Sequence, residues 1–248
     1  KAQVDEKHFF HIDVNFDLTS DQVRLREETH RFAAEVMRPA AMELDGMAPE
    51  DVITADSPLR RVFQQAYKLG YHLRAFPPEL GGPGFAPMDA WVVGEEMGWG
   101  NAGLSISLGV TSMPFRFAAM TGNPDLMREM VQPYLDDTEG KYVGCWCATE
   151  PQHGSDAILY SGDEARPDIH FECAARRVGD EWEISGQKSA WVSNGTIATH
   201  TLAFLCVEPS KGMAGTGVAV IPLGLPGVSR GKPLNKLGQR ALNQGEIF

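Results

Sequence analysis

The chain of 248 residues is acidic, because 33 aspartate and glutamate residues against 22 lysine and arginine residues give a net charge of −11. That charge excludes general nucleic-acid binders and binders of anionic membranes, since both classes use basic surfaces. The hydrophobic content of 43% is typical of a globular protein with one or two domains. No run of about eighteen apolar residues predicts a membrane span.

Five helical runs are predicted before residue 140. The first opens with a capping box of Thr19 and Gln22, and its apolar spacing continues until Pro39 disturbs it. The second ends near Gly70, before a loop rich in proline and glycine. The five runs start near Thr19, near Leu59, after Pro87, near Ser105 and after Pro124. Because the connections are short, we expect an antiparallel helical bundle over residues 1–140.

Strand-like runs follow from Gly140 onwards, separated by turns that carry glycine, proline and aspartate. Gly179 and Asp180 predict a hairpin turn, and residues 160–168 predict an exposed excursion. The expected strands are 142–149, 169–178, 181–186, 188–193, 200–207, 216–223 and 243–248. Residues 141–248 are therefore interpreted as an all-β domain, a closed or sandwich-like barrel, which makes the chain an α+β protein of two domains.

Several common site types find no support in the sequence. No G-x-G-x-x-G follows a strand and no P-loop is present, so neither a Rossmann site nor a phosphate-transfer site is predicted. Cys145 and Cys147 share a strand face, but without a second pair or a histidine cluster they do not predict a metal. The four cysteines are typical of reduced, buried residues of a cytoplasmic protein. His8 and His11 are interpreted as part of a packed or frayed N-terminal arm.

Two segments carry the most specific pattern. The first, CWCATEPQHGSD at 145–156, is an alternating strand that ends in a polar turn, where backbone amides and a hydroxyl are free to meet an anion. The second, KSAWVSNG at 188–195, places Trp191 and Ser193 on one face of a strand. An indole and a hydroxyl side by side fit a flat, electron-poor ring, although this spacing alone does not identify the ring.

The wording and order of these segments resemble the middle domain of the acyl-CoA dehydrogenases. The resemblance rests on ATEP at 148–151, GSD at 154–156, ISGQK at 184–188, WVSNG at 191–195 and LGQR at 237–240. Upstream, LTSDQ at 18–22, PELGG at 78–82 and EEMG at 95–98 are similar to the family's N-terminal helical domain. The resemblance covers nearly the whole chain from about residue 16. It implies FAD as the cofactor and an N-terminal helical bundle followed by a β-barrel, without the family's C-terminal helical bundle.

The resemblance also implies roles for residues of the first segment. Trp146, Ala148 and Thr149 would contact the flavin ring, with Trp146 standing where the family often has a smaller or tyrosyl residue. Gly154 and Ser155 would meet the diphosphate or lie near the acyl-CoA thioester, which makes Ser155 the candidate substrate contact.

In the second segment, Trp191 would pack against the flavin and Ser193 would donate to its reactive ring nitrogen. The alternative is that Trp146 and Trp191 are simply barrel core. Arg240 is interpreted as a residue that fixes a turn, and Leu242-Asn243-Gln244 departs from the Ser-Ser-Thr that relatives frequently carry.

The reaction implied by the resemblance is α,β-dehydrogenation of an acyl-CoA thioester, with electrons passed to an electron-transferring flavoprotein. The family's base is a glutamate of the C-terminal domain, so no catalytic residue is expected in this chain and the base is expected beyond Phe248. We therefore expect a fragment of a longer, homotetrameric or dimeric enzyme, cytoplasmic or in the mitochondrial matrix of a eukaryote. The alternatives are a non-catalytic partner subunit and a flavin monooxygenase or oxidase of the same fold.

Overall fold

The computed structural model describes residues 18–158 and 168–248. The arm with His8 and His11, and all but the last residue of the predicted excursion at 160–168, lie outside the described residues. A helical half is followed by a half built mainly of strands, which confirms the predicted α+β class. The last helix before the first strand ends at Leu135, and that strand begins at Gly144.

The first helix begins at the predicted capping box. The Gln22 amide donates to Thr19 Oγ1 at 3.3 Å, and the Thr19 amide donates to Gln22 Oε1 at 3.1 Å. Helix α1 (Ser20–Phe32) runs through a π-helical segment, Ala33–Met37, directly into α2 (Arg38–Asp45). The pattern is disturbed at Pro39 as expected, by the π-helical segment just before it, but the helix continues past the proline.

The π-helical segment explains why the proline is tolerated. A proline inside an α-helix lacks the amide hydrogen and collides with the carbonyl four residues earlier. Here the Arg38 amide reaches back five residues to the Ala33 carbonyl, which widens the turn before Pro39. The same arrangement recurs where α7 (Pro124–Leu126), the π-helical segment Met127–Val131 and α8 (Gln132–Leu135) form one continuous helix around Pro133.

The middle helices depart from the predicted limits. A short helix α3 (Pro49–Val52) was not predicted, whereas α4 (Pro58–Lys68) matches the second predicted run. The third and fourth runs are divided differently, into α5 (Pro87–Val110) and α6 (Met113–Met120). Asn101 interrupts α5 with an extended backbone, and its side chain accepts from the Leu104 amide at 2.9 Å, so it caps the second part of that helix. Short 3-10 turns lie at Tyr71–Leu73 and Pro78–Leu80.

Within the described residues, seven strands form one five-stranded and one two-stranded sheet. The strands are β1 (Gly144–Cys147), β2 (Ala174–Val178), β3 (Glu181–Ser185), β4 (Lys188–Ser193), β5 (His200–Cys206), β6 (Thr216–Pro222) and β7 (Gln244–Ile247). Strand β5 pairs in parallel with β1 and β2 and antiparallel with β6, while β3 pairs antiparallel with β2 through the predicted turn at Gly179-Asp180. Strands β4 and β7 form the second sheet. A four-residue helix α9 (Ser155–Ile158) and a 3-10 segment (Pro209–Gly215) interrupt the all-β pattern.

One continuous apolar core joins the helical half to the strands. Helix α6 packs on β1, and a side chain at Gly144 would collide with the Thr111 carbonyl and with Pro114. Glycine is therefore required where β1 passes under the helices. This close approach fixes the position of the strand that carries the first candidate segment.

Candidate functional site

Strand β1 sends its side chains alternately to the inside and the outside of the domain. Cys145 and Cys147 are buried, whereas Trp146 between them is 37% exposed and lies near Phe204 of β5, with ring centroids 6.0 Å apart. The strand ends at Cys147, so the predicted strand to residue 149 is two residues too long. Trp146 therefore belongs to the outer face of β1 rather than to the core.

The segment after β1 is attached to β4. The Thr149 carbonyl accepts from the Ser189 amide at 3.0 Å, which places the two candidate segments side by side, and Ala148 is buried beside Thr149. Glu150 and Lys188 then form an ion pair of 2.6 Å with both side chains buried. Glu150 is thus a structural anchor of this segment.

The turn that follows differs from the expectation that its amides are free. The Gly154 amide donates to Asp156 Oδ1 at 2.6 Å, and His153 Nδ1 lies 2.8 Å from Asp156 Oδ2. These hydrogen bonds lower the pKa of Asp156, with the contact to His153 contributing most. Gly154 therefore has no free amide for an anion, while the exposed Ser155 starts α9.

Strand β4 places Trp191 and Ser193 outward. The Trp191 side chain is 61% exposed, Val192 beside it is buried, and Ser193 is half-buried. Trp191, Gln244 and the loop 234–239 line an open groove of about 520 Å³. Neither Trp146 nor Trp191 is a core residue, so the alternative that both merely fill the barrel interior does not describe this structure.

A glutamine orients the Ser193 hydroxyl. Gln244, opposite Ser193 in β7, donates its amide nitrogen to Ser193 Oγ at 3.3 Å and to the Trp191 carbonyl at 3.1 Å. Lys236 donates to Gln244 Oε1 at 2.9 Å, which fixes the orientation of that amide, and burial lowers the pKa of Lys236 to about 8. Because Ser193 Oγ already accepts a hydrogen bond from Gln244, its own hydrogen is available to donate to another acceptor.

Asn194 ties this strand to the helical half. It is fully buried, its backbone is left-handed with φ 65°, and its side chain donates to the carbonyls of Ser107 at 2.9 Å and Gly144 at 3.2 Å. Ser107 Oγ donates back to Asn194 Oδ1 at 2.5 Å. Asparagine tolerates the left-handed region better than most residues, so an asparagine at the end of a strand is a local signal for a turn of this kind. The end of β4, with Ser193, is therefore held by α5 and β1.

Arg240 fixes the loop beside the groove, as interpreted from the sequence. Its guanidinium donates to the carbonyl of Asp45, the last residue of α2, at 2.6 Å and to that of Met47, in the turn after α2, at 2.9 Å. It also donates to Asn235 Oδ1 and to the Lys236 carbonyl, each at 2.9 Å. Two bonds therefore join the loop 235–240 to the helical half, and the other two hold the loop itself.

Two family profiles match this chain in sequence order. The profile described as "Acyl-CoA dehydrogenase, N-terminal domain" matches residues 19–137, and "Acyl-CoA dehydrogenase, middle domain" matches residues 145–248. The chain belongs to the acyl-CoA dehydrogenase family. This membership confirms the resemblance stated from the sequence motifs.

Relatives within the acyl-CoA dehydrogenase family are distant. Benzylmalonyl-CoA dehydrogenase of Aromatoleum aromaticum is 26% identical over 94% of this chain and 55% of its own length. Mitochondrial short-chain specific acyl-CoA dehydrogenase of Rattus norvegicus is 26% identical over 94% of this chain and 51% of its own. The chain thus spans about half the length of the curated relatives it matches.

Solved structures support the acyl-CoA dehydrogenase fold. A glutaryl-coenzyme A dehydrogenase in complex with glutaryl-CoA superposes with a TM-score of 0.75 at 26% identity, covering 95% of this chain and 55% of that one. A nitroalkane oxidase superposes with a TM-score of 0.78 at 20% identity, covering 94% and 57% of the two chains, and shows a likeness of fold alone.

Within residues 18–158 and 168–248, no group of three or more histidine, cysteine, aspartate or glutamate side chains is arranged to hold a metal ion. No helix in this part of the acyl-CoA dehydrogenase homologue is long and apolar enough to cross a membrane.

Sequence reasoning missed Gln244, Lys236 and Asn194 as residues that support the candidate site. Gln244 had been noted only as a departure from the family's usual residue, and pairing between β4 and β7 is what brings it opposite Ser193. The signal that could have identified Gln244 is a polar residue in the strand that pairs with the predicted site strand, opposite the hydroxyl of Ser193.

Proposed function

We propose that this chain binds the isoalloxazine ring of FAD for the α,β-dehydrogenation of an acyl-CoA thioester. The observation that carries the proposal is the exposed Trp191 at an open groove, with the Ser193 hydroxyl on the same face of β4 and turned into a donor by Gln244, which also lines the groove. Membership of the acyl-CoA dehydrogenase family supports the choice of cofactor and of substrate class.

The residues present fit a flat, electron-accepting ring. Trp191 leaves most of a large aromatic side chain in water, which is unfavourable unless a ligand or a partner covers it. Trp146 exposes a second indole on β1, and β1 and β4 contact each other. Ala148 and Thr149 lie at the junction of these two strands and are proposed as further ring contacts.

The second part of the proposal concerns the turn after β1. Gly154 and Ser155 are proposed to meet the cofactor diphosphate or the substrate thioester. The Gly154 amide is engaged by Asp156, so its use requires Asp156 to release it. The Ser155 hydroxyl is exposed and needs no such rearrangement, which makes Ser155 the better candidate for a substrate contact.

FAD, when bound, would accept the hydride that leaves the substrate β-carbon. The contribution of this chain is to position the flavin ring and to polarise it. Ser193 holds a hydrogen-bond donor whose direction is fixed by Gln244 and, through it, by Lys236. A fixed donor at a site where negative charge accumulates stabilises that charge without reorganisation. The proposal assigns no base to a residue of this chain.

The finer parts of the proposal follow the family. Electrons pass to an electron-transferring flavoprotein, and the protein works as a homotetramer or dimer in the cytoplasm, or in the mitochondrial matrix of a eukaryote. These assignments rest on the family relationship, and the geometry of the described residues adds nothing to them.

The test uses the full-length protein purified with its flavin. We expect a panel of short, long, branched and aromatic acyl-CoAs to include one that bleaches the flavin under anaerobic conditions. If no member of the panel does so, the dehydrogenase proposal fails. Rapid reoxidation of the bleached protein by air would assign it instead to the flavin oxidases or monooxygenases of this fold, whereas slow reoxidation with rapid transfer to an electron-transferring flavoprotein supports the dehydrogenase.

A further inference from the structure

A cavity of about 390 Å³ lies between the two sheets, on the inner side of β1. Its volume falls within the range of small-molecule sites. Trp182, Leu225 and Phe248 at its border are each about half exposed, so the border faces solvent. The apolar residues of its wall include Ala203, Leu205, Ile221, Leu223, Val228 and Ile247.

Polar groups converge on one part of this cavity. Cys147, Cys173, Thr201 and Lys188 line it, and each is more than nine-tenths buried. Thr201 Oγ1 donates to Cys147 Sγ at 2.9 Å. Cys147 is 1% exposed and belongs to the inner face of β1, opposite to Trp146. A buried thiol that accepts a hydrogen bond beside a lysine is unlike an ordinary packed cysteine.

The surroundings of Cys147 favour its thiolate form, whereas the surroundings of the other three cysteines favour the protonated thiol. A hydrogen bond from Cys145, another from Thr201 and the charge of Lys188 lower the pKa of Cys147, against the opposing effect of burial. Burial raises the pKa of Cys145 and Cys206, and raises that of Cys173 to about 11. The four thiols are therefore not equivalent.

The charges at the cavity are balanced within the protein. Lys188 is paired with Glu150 at 2.6 Å, and its ammonium also lies 4.0 Å from the centre of the Phe171 ring. An anionic ligand would have to compete with Glu150, and a cationic one would face Lys188 in an apolar enclosure. The site therefore suits a small uncharged molecule.

We propose that this cavity binds a small, uncharged ligand with an electrophilic carbon, and that Cys147 is the thiol that adds to it. For an α,β-unsaturated carbonyl compound, the sulfur forms a bond to the β-carbon while the carbon–carbon π bond breaks. The α-carbon takes the proton given up by the thiol, so S–H adds across the double bond without an oxidant or reductant. The inference does not depend on the flavin proposal.

The experiment treats the native protein with N-ethylmaleimide, which is small, uncharged and of this chemical class, and maps the modified peptide by mass spectrometry over time. We expect Cys147 to be modified at least about tenfold faster than each of the other three cysteines. Equal rates at all four cysteines, or modification only after unfolding in urea, would overturn the proposal. This comparison within the wild-type chain requires no variant to fold.

Matched variants test the role of the cavity. Thr201→Val keeps the shape but removes the donor, and should slow modification of Cys147 by about fivefold, as expected for one lost hydrogen bond. Ala203→Leu should block modification by filling the cavity beside Cys147, which Ala203 faces in the pairing of β1 with β5. Cys206→Ser, outside the cavity lining, is the control and should leave the rate unchanged. If Ala203→Leu folds with an unchanged melting temperature and still reacts at the wild-type rate, the cavity is not the route to Cys147.

Discussion

The ion pair between Glu150 and Lys188 predicts a large loss of stability when either partner is removed. The pair is 2.6 Å long, and the two side chains are 0% and 4% exposed. Glu150 also accepts from the amides of Glu172 at 2.6 Å and Cys173 at 3.0 Å. Breaking a buried pair costs about 3–5 kcal/mol, because a charge is left without its partner.

The two single substitutions should differ. In Lys188→Met the carboxylate keeps its two amide donors, so we expect the lower end, about 3 kcal/mol. In Glu150→Gln the ammonium loses its counter-charge, and the new amide nitrogen faces the Glu172 amide that Glu150 Oε2 accepts from, so we expect the upper end, about 5 kcal/mol. The double variant should lose less than the sum of the two, since neither charge remains buried alone.

Urea unfolding followed by circular dichroism at pH 7 measures these changes in the free energy of unfolding. The matched control is Lys141→Met, which breaks an ion pair to Glu139 of the same 2.6 Å length whose side chains are mostly exposed. Its unfolding midpoint should stay at the wild-type value. If Lys188→Met and Glu150→Gln also leave the midpoint unchanged, the reasoning from burial is refuted.

Three further predictions concern single residues. Burial lowers the pKa of His72 to about 4, so the folded state disfavours the protonated imidazole. The contribution of His72 to stability should be complete above about pH 6.5 and should be lost as the pH drops towards 4. Urea titrations at several pH values should show that His72→Phe removes this loss, and parallel stability curves for the two proteins would contradict the prediction. Asn194→Gly keeps the left-handed backbone but loses three buried side-chain hydrogen bonds, and should cost about 2–4 kcal/mol in urea unfolding, whereas a loss below about 1 kcal/mol would argue against its linking role. Arg240→Ala should speed limited proteolysis within the loop 235–240, and an unchanged cleavage rate would mean that other contacts hold that loop.

Strand positions could be predicted from the sequence, because alternation and turn residues are local signals. The predicted strand 188–193 coincides with β4, and the turn at Gly179-Asp180 joins β2 and β3 as expected. The helical half was harder, since a π-helical segment carries the chain past Pro39 and the break at Asn101 depends on a cap. Apolar periodicity alone predicts neither the π-helical segment nor the capping side chain of Asn101.

The candidate site was predictable only where it follows strand geometry. The outward positions of Trp191 and Ser193 follow from alternation along β4. The contacts of Gln244 with Ser193, and of Glu150 with Lys188, join residues 51 and 38 positions apart and exist only once the strands have paired. The Gly154 amide is engaged by the side chain of Asp156, and the motif alone does not indicate that this carboxylate occupies the donor.

The most direct test of the flavin proposal is the affinity for FAD of Trp191→Ala compared with Trp91→Ala. Both tryptophans are 61% exposed, but Trp91 lies in α5 and does not line the groove that Trp191 lines. The two substitutions are therefore matched in the exposure of the lost side chain and differ in its location. We predict that full-length protein with Trp191→Ala binds FAD about tenfold or more weakly, as expected for the loss of one aromatic stacking contact, while Trp91→Ala retains wild-type affinity. Equal FAD affinity in the two variants would contradict the assignment of Trp191 to the flavin.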